Sequence, residues 1–337
     1  MPPAAPRNRS RSRGPSEKTT ESAVNVPAAA AASSKKAAPK ASAKAASTSS
    51  KSSLVLSAPP SWQLLSFLFV VAACCARYAF QVDLLSSGVL ITRTPSLNMM
   101  RFVFAISIFV AEAHEVFFNP LACEMTTYKP PSKLFPCRVD TSGYRQLTYF
   151  THWSWLLLGL YFTLALIPSG RFDSLAYVLW EISSANALLV SAVVTFVIWP
   201  EKIVDKADTS HLASWPVLMM HNANTLFVGA ELLAGTGVTP SHLCVIPLYG
   251  LTYVLFLWYW SHVVSPKNGV QFYYFFLDTT LPPMVGVVAL AGLLVALGGG
   301  FLAVSGLASI IENWSGDQNA LKGIVIFFCA YICKWAD

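Results

Sequence analysis

Charge is what this sequence has least of. Only 12% of its 337 residues are Asp, Glu, Lys or Arg, about half of the roughly 25% typical of soluble domains. The shortage is uneven. Residues 1–60 hold ten basic side chains (Arg7, Arg9, Arg11, Arg13, Lys18, Lys35, Lys36, Lys40, Lys44 and Lys51) against Glu17 and Glu21, a local balance of +8. With +6 overall, residues 61–337 carry −2. A nearly neutral, apolar body excludes a soluble enzyme, and it offers no basic field for nucleic acid. The seven cysteines, including the adjacent Cys74 and Cys75, show no metal-ligand spacing, so neither a metal nor another cofactor is expected.

Aromatic residues are missing before Trp62, and residues 1–58 consist largely of Ala, Ser, Lys, Arg and Pro. Such a segment buries too little apolar surface to offset its ordering entropy, and disorder is expected there. It has no early apolar core of a cleaved secretory signal. Two readings stay open: a cytoplasmic polybasic tail held by the positive-inside bias, or an organelle transit peptide.

What the body does have is apolar runs of spanning length, each needing about 20 residues. They fall near 62–82, 101–119, 147–167, 175–199, 215–234, 243–264 and 282–311, with a shorter run at 324–333 that reads as a terminal half-helix. Trp and Tyr gather at run ends, as interfacial anchors do. The runs are continuous and do not alternate, which favours helices over a barrel. The expected fold is all-α: a polytopic transmembrane helix bundle of about six to seven spans over 62–337, behind the disordered basic tail. An endomembrane or the plasma membrane is the expected location. Arg77 and Asp83 interrupt the first run and leave the sign of the topology open. Cys123 and Cys137 form a bridge only if the 119–146 loop faces an oxidising lumen.

Ionisable groups inside spans mark candidate sites, because burying them is costly. The candidates are Glu112, His114 and Glu115 in the second run, His152 in the third, Glu181 in the fourth, His221 and Glu231 in the fifth, and His262 in the sixth. Each has a plain alternative as an interhelical hydrogen-bond partner. The fifth run is the most informative. His221, Asn224, Thr225 and Glu231 recur at helical spacing and share one face, which points into the bundle. Two crossings separate Thr148 from His221, so the two enter from the same side and lie at similar shallow depth. A threonine hydroxyl with an imidazole in reach is a workable nucleophile and base. Thr148 as a mere helix cap, and His152 as a rival base, remain open at this point.

The stretch Tyr144–Phe150 (YRQLTYF), the Trp215-x5-His221-x9-Glu231 segment and Tyr253–His262 (YVLFLWYWSH) resemble, in order and spacing, the androgen-induced-gene-like (androgen-dependent TFPI-regulating protein) family of multi-pass membrane threonine hydrolases. Trp199-Pro200-Glu201-Lys202 also fits the pattern of that family, and the resemblance covers roughly residues 101–310. It implies an enzyme that cleaves fatty acid esters of hydroxy fatty acids, with Thr148 as nucleophile and His221 as base, acting on a lipid ester drawn from the bilayer. Asn222 or Asn224 is then a guess from residue type for the oxyanion donor, and Glu231 and His262 would line the cavity. The sequence departs from the family where Leu218 and Asn222 replace its His-x-x-His-Thr pattern, and where Gln271-Phe272-Tyr273-Tyr274 replaces Trp-Val-Tyr-Pro. The competing class is a transporter or lipid-binding scaffold with a polar path through His221, Asn224 and Glu231.

Overall fold

The computed structural model describes residues 60–82, 84, 91–118, 121–129, 133–141, 143–168, 170–205, 209–264, 274–279 and 281–335. The expectation of a disordered tail over 1–58 lies outside them. The protein is a polytopic transmembrane helix bundle. Its helices are α1 (Trp62–Val82), α2 (Pro95–Phe118), α3 (Phe150–Ala165), α4 (Asp173–Val193), α5 (Trp199–Val204), α6 (Trp215–Leu218), α7 (Asn224–Leu233), α8 (Val245–Tyr259), α9 (Pro283–Glu312) and α10 (Gln318–Ile332). π-Helical turns join α4 to α5 (Val194–Ile198) and α6 to α7 (Met219–Ala223), and a third extends α8 (Trp260–Val264). Five of the resulting continuous helices are long and apolar enough to cross a membrane: Trp62–Val82, Pro95–Phe118, Asp173–Val204, Pro240–Val264 and Pro283–Glu312.

Neighbouring helices run antiparallel, as their contacts show. Along α2 and α3, Glu112 meets His152, Ile108 meets Trp155 and Phe104 meets Phe162. Along α4 and α7, Ser191 meets Asn224, while Glu181 lies beside Thr239 just past α7. Along α7 and α10, Asn222 meets Lys334, Thr225 meets Cys329 and Gly229 meets Val325. Glycines allow the closest approaches. A Cβ at Gly159 would fall 2.7 Å from an Ile108 methyl, and one at Gly300 would fall 3.0 Å from the Ala185 carbonyl oxygen. Phe104, Trp155, Phe162 and Phe227 form an aromatic core between α2, α3 and α7.

Several boundaries differ from those read in the sequence. The second helix starts at Pro95, six residues before Arg101, because Arg101 is buried with a partner and does not mark the membrane edge. The loop between α2 and α3 holds a two-stranded antiparallel hairpin, β1 (Leu121–Lys129) and β2 (Lys133–Thr141), followed by a 3-10 turn over Gly143–Thr148. In the hairpin register Cys123 faces Val139 and Cys137 faces Met125, so the two cysteines are not directly opposed. The last run starts earlier than read, as a 15-residue helix that stays below spanning length. Asp317 caps α10 by accepting from the Asn319 N–H, and Val325 and Cys329 of α10 pack against α7.

Candidate functional site

The bundle has two polar ends with different chemistry. At the end where α2 starts and α3 and α7 finish, charges are paired. Arg101 is fully buried and bonds Glu231 through both Nε (3.1 Å) and Nη2. Glu231 also accepts from Tyr161 Oη and Thr236 Oγ1, each at 2.6 Å, and Arg101 Nη1 donates to the Thr92 carbonyl at 2.7 Å. Nearby, Arg93 pairs with Asp173. Glu181 receives the Thr239 N–H at 2.9 Å and lies 2.8 Å from His242 Nδ1. Among the described residues, Asp173, Glu181 and Glu231 at this end each have two or more partners, as a charge far from water must.

The opposite end holds Thr148 and His221. Thr148 is the last residue of its 3-10 turn and is 1% exposed. Its hydroxyl donates to the Arg145 carbonyl at 2.6 Å, and its own carbonyl accepts from Tyr253 Oη at 2.8 Å. The residue that starts α3 is Tyr149, in extended conformation with no side-chain cap bond. Thr148 therefore does not cap α3. Nor does it lie on the same helix as His152, since Tyr149 breaks the helical path between them. His152 has its own partner: Nδ1 lies 2.8 Å from Glu112 Oε1, with both side chains buried.

His221 stands in the π turn between α6 and α7. Its ring is half-buried, and Nδ1 is buried with no hydrogen-bond partner. No hydrogen bond joins Thr148 to His221. Other unpartnered buried atoms also belong to this end, among them Glu112 Oε2, His114 Nδ1 and Asn222 Oδ1. Native interiors leave few such atoms, and several at one end of a bundle mark a place where protein groups alone do not complete the bonding.

The other residues singled out in the sequence are placed as follows. Asn222 Nδ2 donates to the Lys334 carbonyl, and Asn224 Nδ2 donates to the Met220 carbonyl at 2.7 Å. Both amide donors are thus engaged. Glu231 lies ten residues beyond His221, roughly 15 Å along the helix, and belongs to the Arg101 network. His262 Nδ1 sits 2.7 Å from the Trp258 carbonyl, with Thr279 at 3.5 Å from Nε2. Glu115 is fully buried, and the His114 ring meets Trp215 edge-on at 5.0 Å. Sequence reasoning missed Arg101, Tyr161 and Ser191. Arg101 carried a usable signal, since a lone arginine in an apolar run requires a buried anion. Ser191 carried none.

Among the described residues, no group of three or more His, Cys, Asp or Glu side chains is arranged to hold a metal ion. No family model, curated protein or solved structure matches the chain.

Proposed function

We propose that the protein is an intramembrane hydrolase of lipid esters, with Thr148 as nucleophile and His221 as base. The substrate class is fatty acid esters of hydroxy fatty acids or similar acyl esters, entering laterally from the bilayer. The observation that carries this reading is the state of His221. Its imidazole occupies a π turn with a buried nitrogen that no protein group fills, and π turns recur at functional sites. The ordered resemblance of Tyr144–Phe150, Trp215–Glu231 and Tyr253–His262 to membrane threonine hydrolases supports the same pair.

The chemistry proceeds in two halves. Thr148 Oγ1 rotates off the Arg145 carbonyl, exchanging a bond worth about 1 kcal/mol, and attacks the ester carbonyl as His221 takes its proton. The protonated imidazole then returns that proton to the departing alkoxide, releasing the alcohol and leaving an acyl-threonine ester. Water, deprotonated by His221, attacks this ester, and the fatty acid leaves as Thr148 recovers its proton.

The transporter reading predicts mobile carboxylates along the path. Glu181 and Glu231 are instead each fixed by two or more partners, which favours the hydrolase. The test is labelling of the purified protein by a fluorophosphonate probe. Labelling is expected to vanish in Thr148→Ala, to fall at least 100-fold in His221→Ala, and to persist in Glu231→Gln molecules that remain folded. Undiminished labelling of Thr148→Ala removes the nucleophile.

A further inference from the structure

The backbone that carries His221 is held from outside its own helix. In the turn Met219–Ala223 the Asn224 N–H bonds to the Met219 carbonyl, five residues back. A regular α-helix would aim the Thr225 N–H at the His221 carbonyl. That N–H lies 2.6 Å from Asn224 Oδ1. The His221 carbonyl is met by the hydroxyl of Ser191 on α4, which sits 2.7 Å from Thr225 Oγ1. The Asn222 carbonyl is met by Cys333 Sγ at 3.4 Å, and the Thr225 carbonyl by Cys329 Sγ at 3.6 Å. The Asn222 side chain in turn donates to the Lys334 carbonyl, and the Lys334 ammonium rests 4.8 Å above the Trp199 ring.

Two properties make these contacts more than ordinary packing. Buried carbonyls displaced from the regular helical ladder must find donors elsewhere or cost one to several kcal/mol each. At the His221 turn side-chain donors approach from Ser191 of α4 on one side and from Cys333, just past α10, on the other, while the Cys329 contact falls on the Thr225 carbonyl inside α7. The approach of α10 is also very close. A Cβ at Gly229 would lie 2.8 Å from Cys329 Sγ, so a glycine on α7 gives α10 the room to reach the turn. The segment supplying these contacts, 318–335, lies beyond the stretch that resembles the threonine hydrolases.

We infer that Ser191 and Cys333 are positioning residues that hold the His221 turn in its π-helical form, with α10 serving as a built-in clamp on the catalytic imidazole. Neither touches the reacting atoms. They act by fixing where the imidazole stands, and a displacement near 1 Å can cost up to 100-fold in rate. The inference deepens the hydrolase reading and rests on it for its kinetic consequence, but the positioning of His221 is measurable without turnover.

The experiment uses the full chain in lipid nanodiscs with Ser191→Ala, Cys333→Ala, their double variant and the conservative Cys333→Ser. Two quantities are measured: the rate at which diethyl pyrocarbonate modifies His221, read by peptide mass spectrometry, and kcat and KM for hydrolysis of a fatty acid ester of a hydroxy fatty acid. In the double variant the His221 modification rate is expected to change at least about fivefold and kcat to fall about tenfold or more, with KM within twofold. Cys333→Ser, which keeps a donor, should restore both towards wild type. Rates within twofold of wild type in the folded double variant overturn the clamp, even where Thr148-dependent hydrolysis is intact. A shift in His221 reactivity in a protein with no Thr148-dependent turnover sustains the clamp and removes the hydrolase.

Discussion

At the scale of single residues, the buried guanidinium of Arg101 is costly. It is 0% exposed inside an apolar bundle and is tolerable only because Glu231, Tyr161, Thr236 and the Thr92 carbonyl surround it. Removing one member of such a pair leaves an uncompensated charge and typically costs 3–5 kcal/mol, whereas replacing both with apolar side chains is often close to neutral. Glu231→Leu is therefore expected to lower the unfolding midpoint of the detergent-solubilised protein sharply. Arg101→Met with Glu231→Leu should recover most of the loss. A double variant no more stable than Glu231→Leu would mean that the ion pair is not what holds this end together. The sequence made Glu231 visible as a polar residue on an inward face. It concealed what Glu231 does, because its partner is 130 residues away. The same limit applied to Glu112 and His152. Periodicity reports which face a residue occupies, and only the packing of two helices reports whom it meets.

At the scale of elements, the sequence located every apolar run but not how helices begin, bend or touch. Thr148 illustrates this. It reads as the first turn of a helix, yet the extended Tyr149 separates it from α3 and leaves it ending a 3-10 turn. The π turns were equally hidden, since no residue pattern in Met219–Ala223 announces one. Close approach, in contrast, has a sequence trace in the glycines. Gly300 faces the Ala185 carbonyl of α4 at a distance where an added Cβ would meet backbone at 3.0 Å, and a carbonyl cannot swing aside as a side-chain tip can. Gly300→Ala is expected to push α9 from α4 and destabilise the bundle by about 1–3 kcal/mol, the usual cost of overpacking. Gly299→Ala, with nothing within 4 Å of its added Cβ, should be neutral or slightly stabilising. Thermal unfolding of the two neighbours in the same detergent separates this account from a general intolerance of α9 to substitution.

At the scale of the whole molecule, the alternation of helices sorts the helix ends into two sets. Leu64 at the start of α1 packs over Gly286 at the start of α9, so α1 and α9 run in the same direction. The antiparallel contacts of α2, α3, α4, α7 and α10 then place the described helix ends at one end of the bundle or the other. Among the described residues between 61 and 337, those at or beside the helix ends on the Thr148 and His221 side include Lys129, Lys133, Arg138, Arg145, Lys202 and Lys334. Those on the Arg101 and Glu231 side include Arg77, Arg93, Arg171 and Lys322. Lysine and arginine in short loops are retained on the cytoplasmic side, so the His221 end is expected to face the cytoplasm. The proposed hydrolase would then draw its ester from the cytoplasmic leaflet. The orientation is checked with Glu201→Cys and Ser315→Cys, exposed positions at the two ends, and a membrane-impermeant maleimide. In cells permeabilised at the plasma membrane alone, the cysteine at 201 should react. The cysteine at 315 should react only after detergent opens the internal membranes, or from outside if the protein resides at the cell surface. The reverse pattern would place His221 on the exoplasmic side, and the positive-inside bias of the body would then have no part in setting its topology.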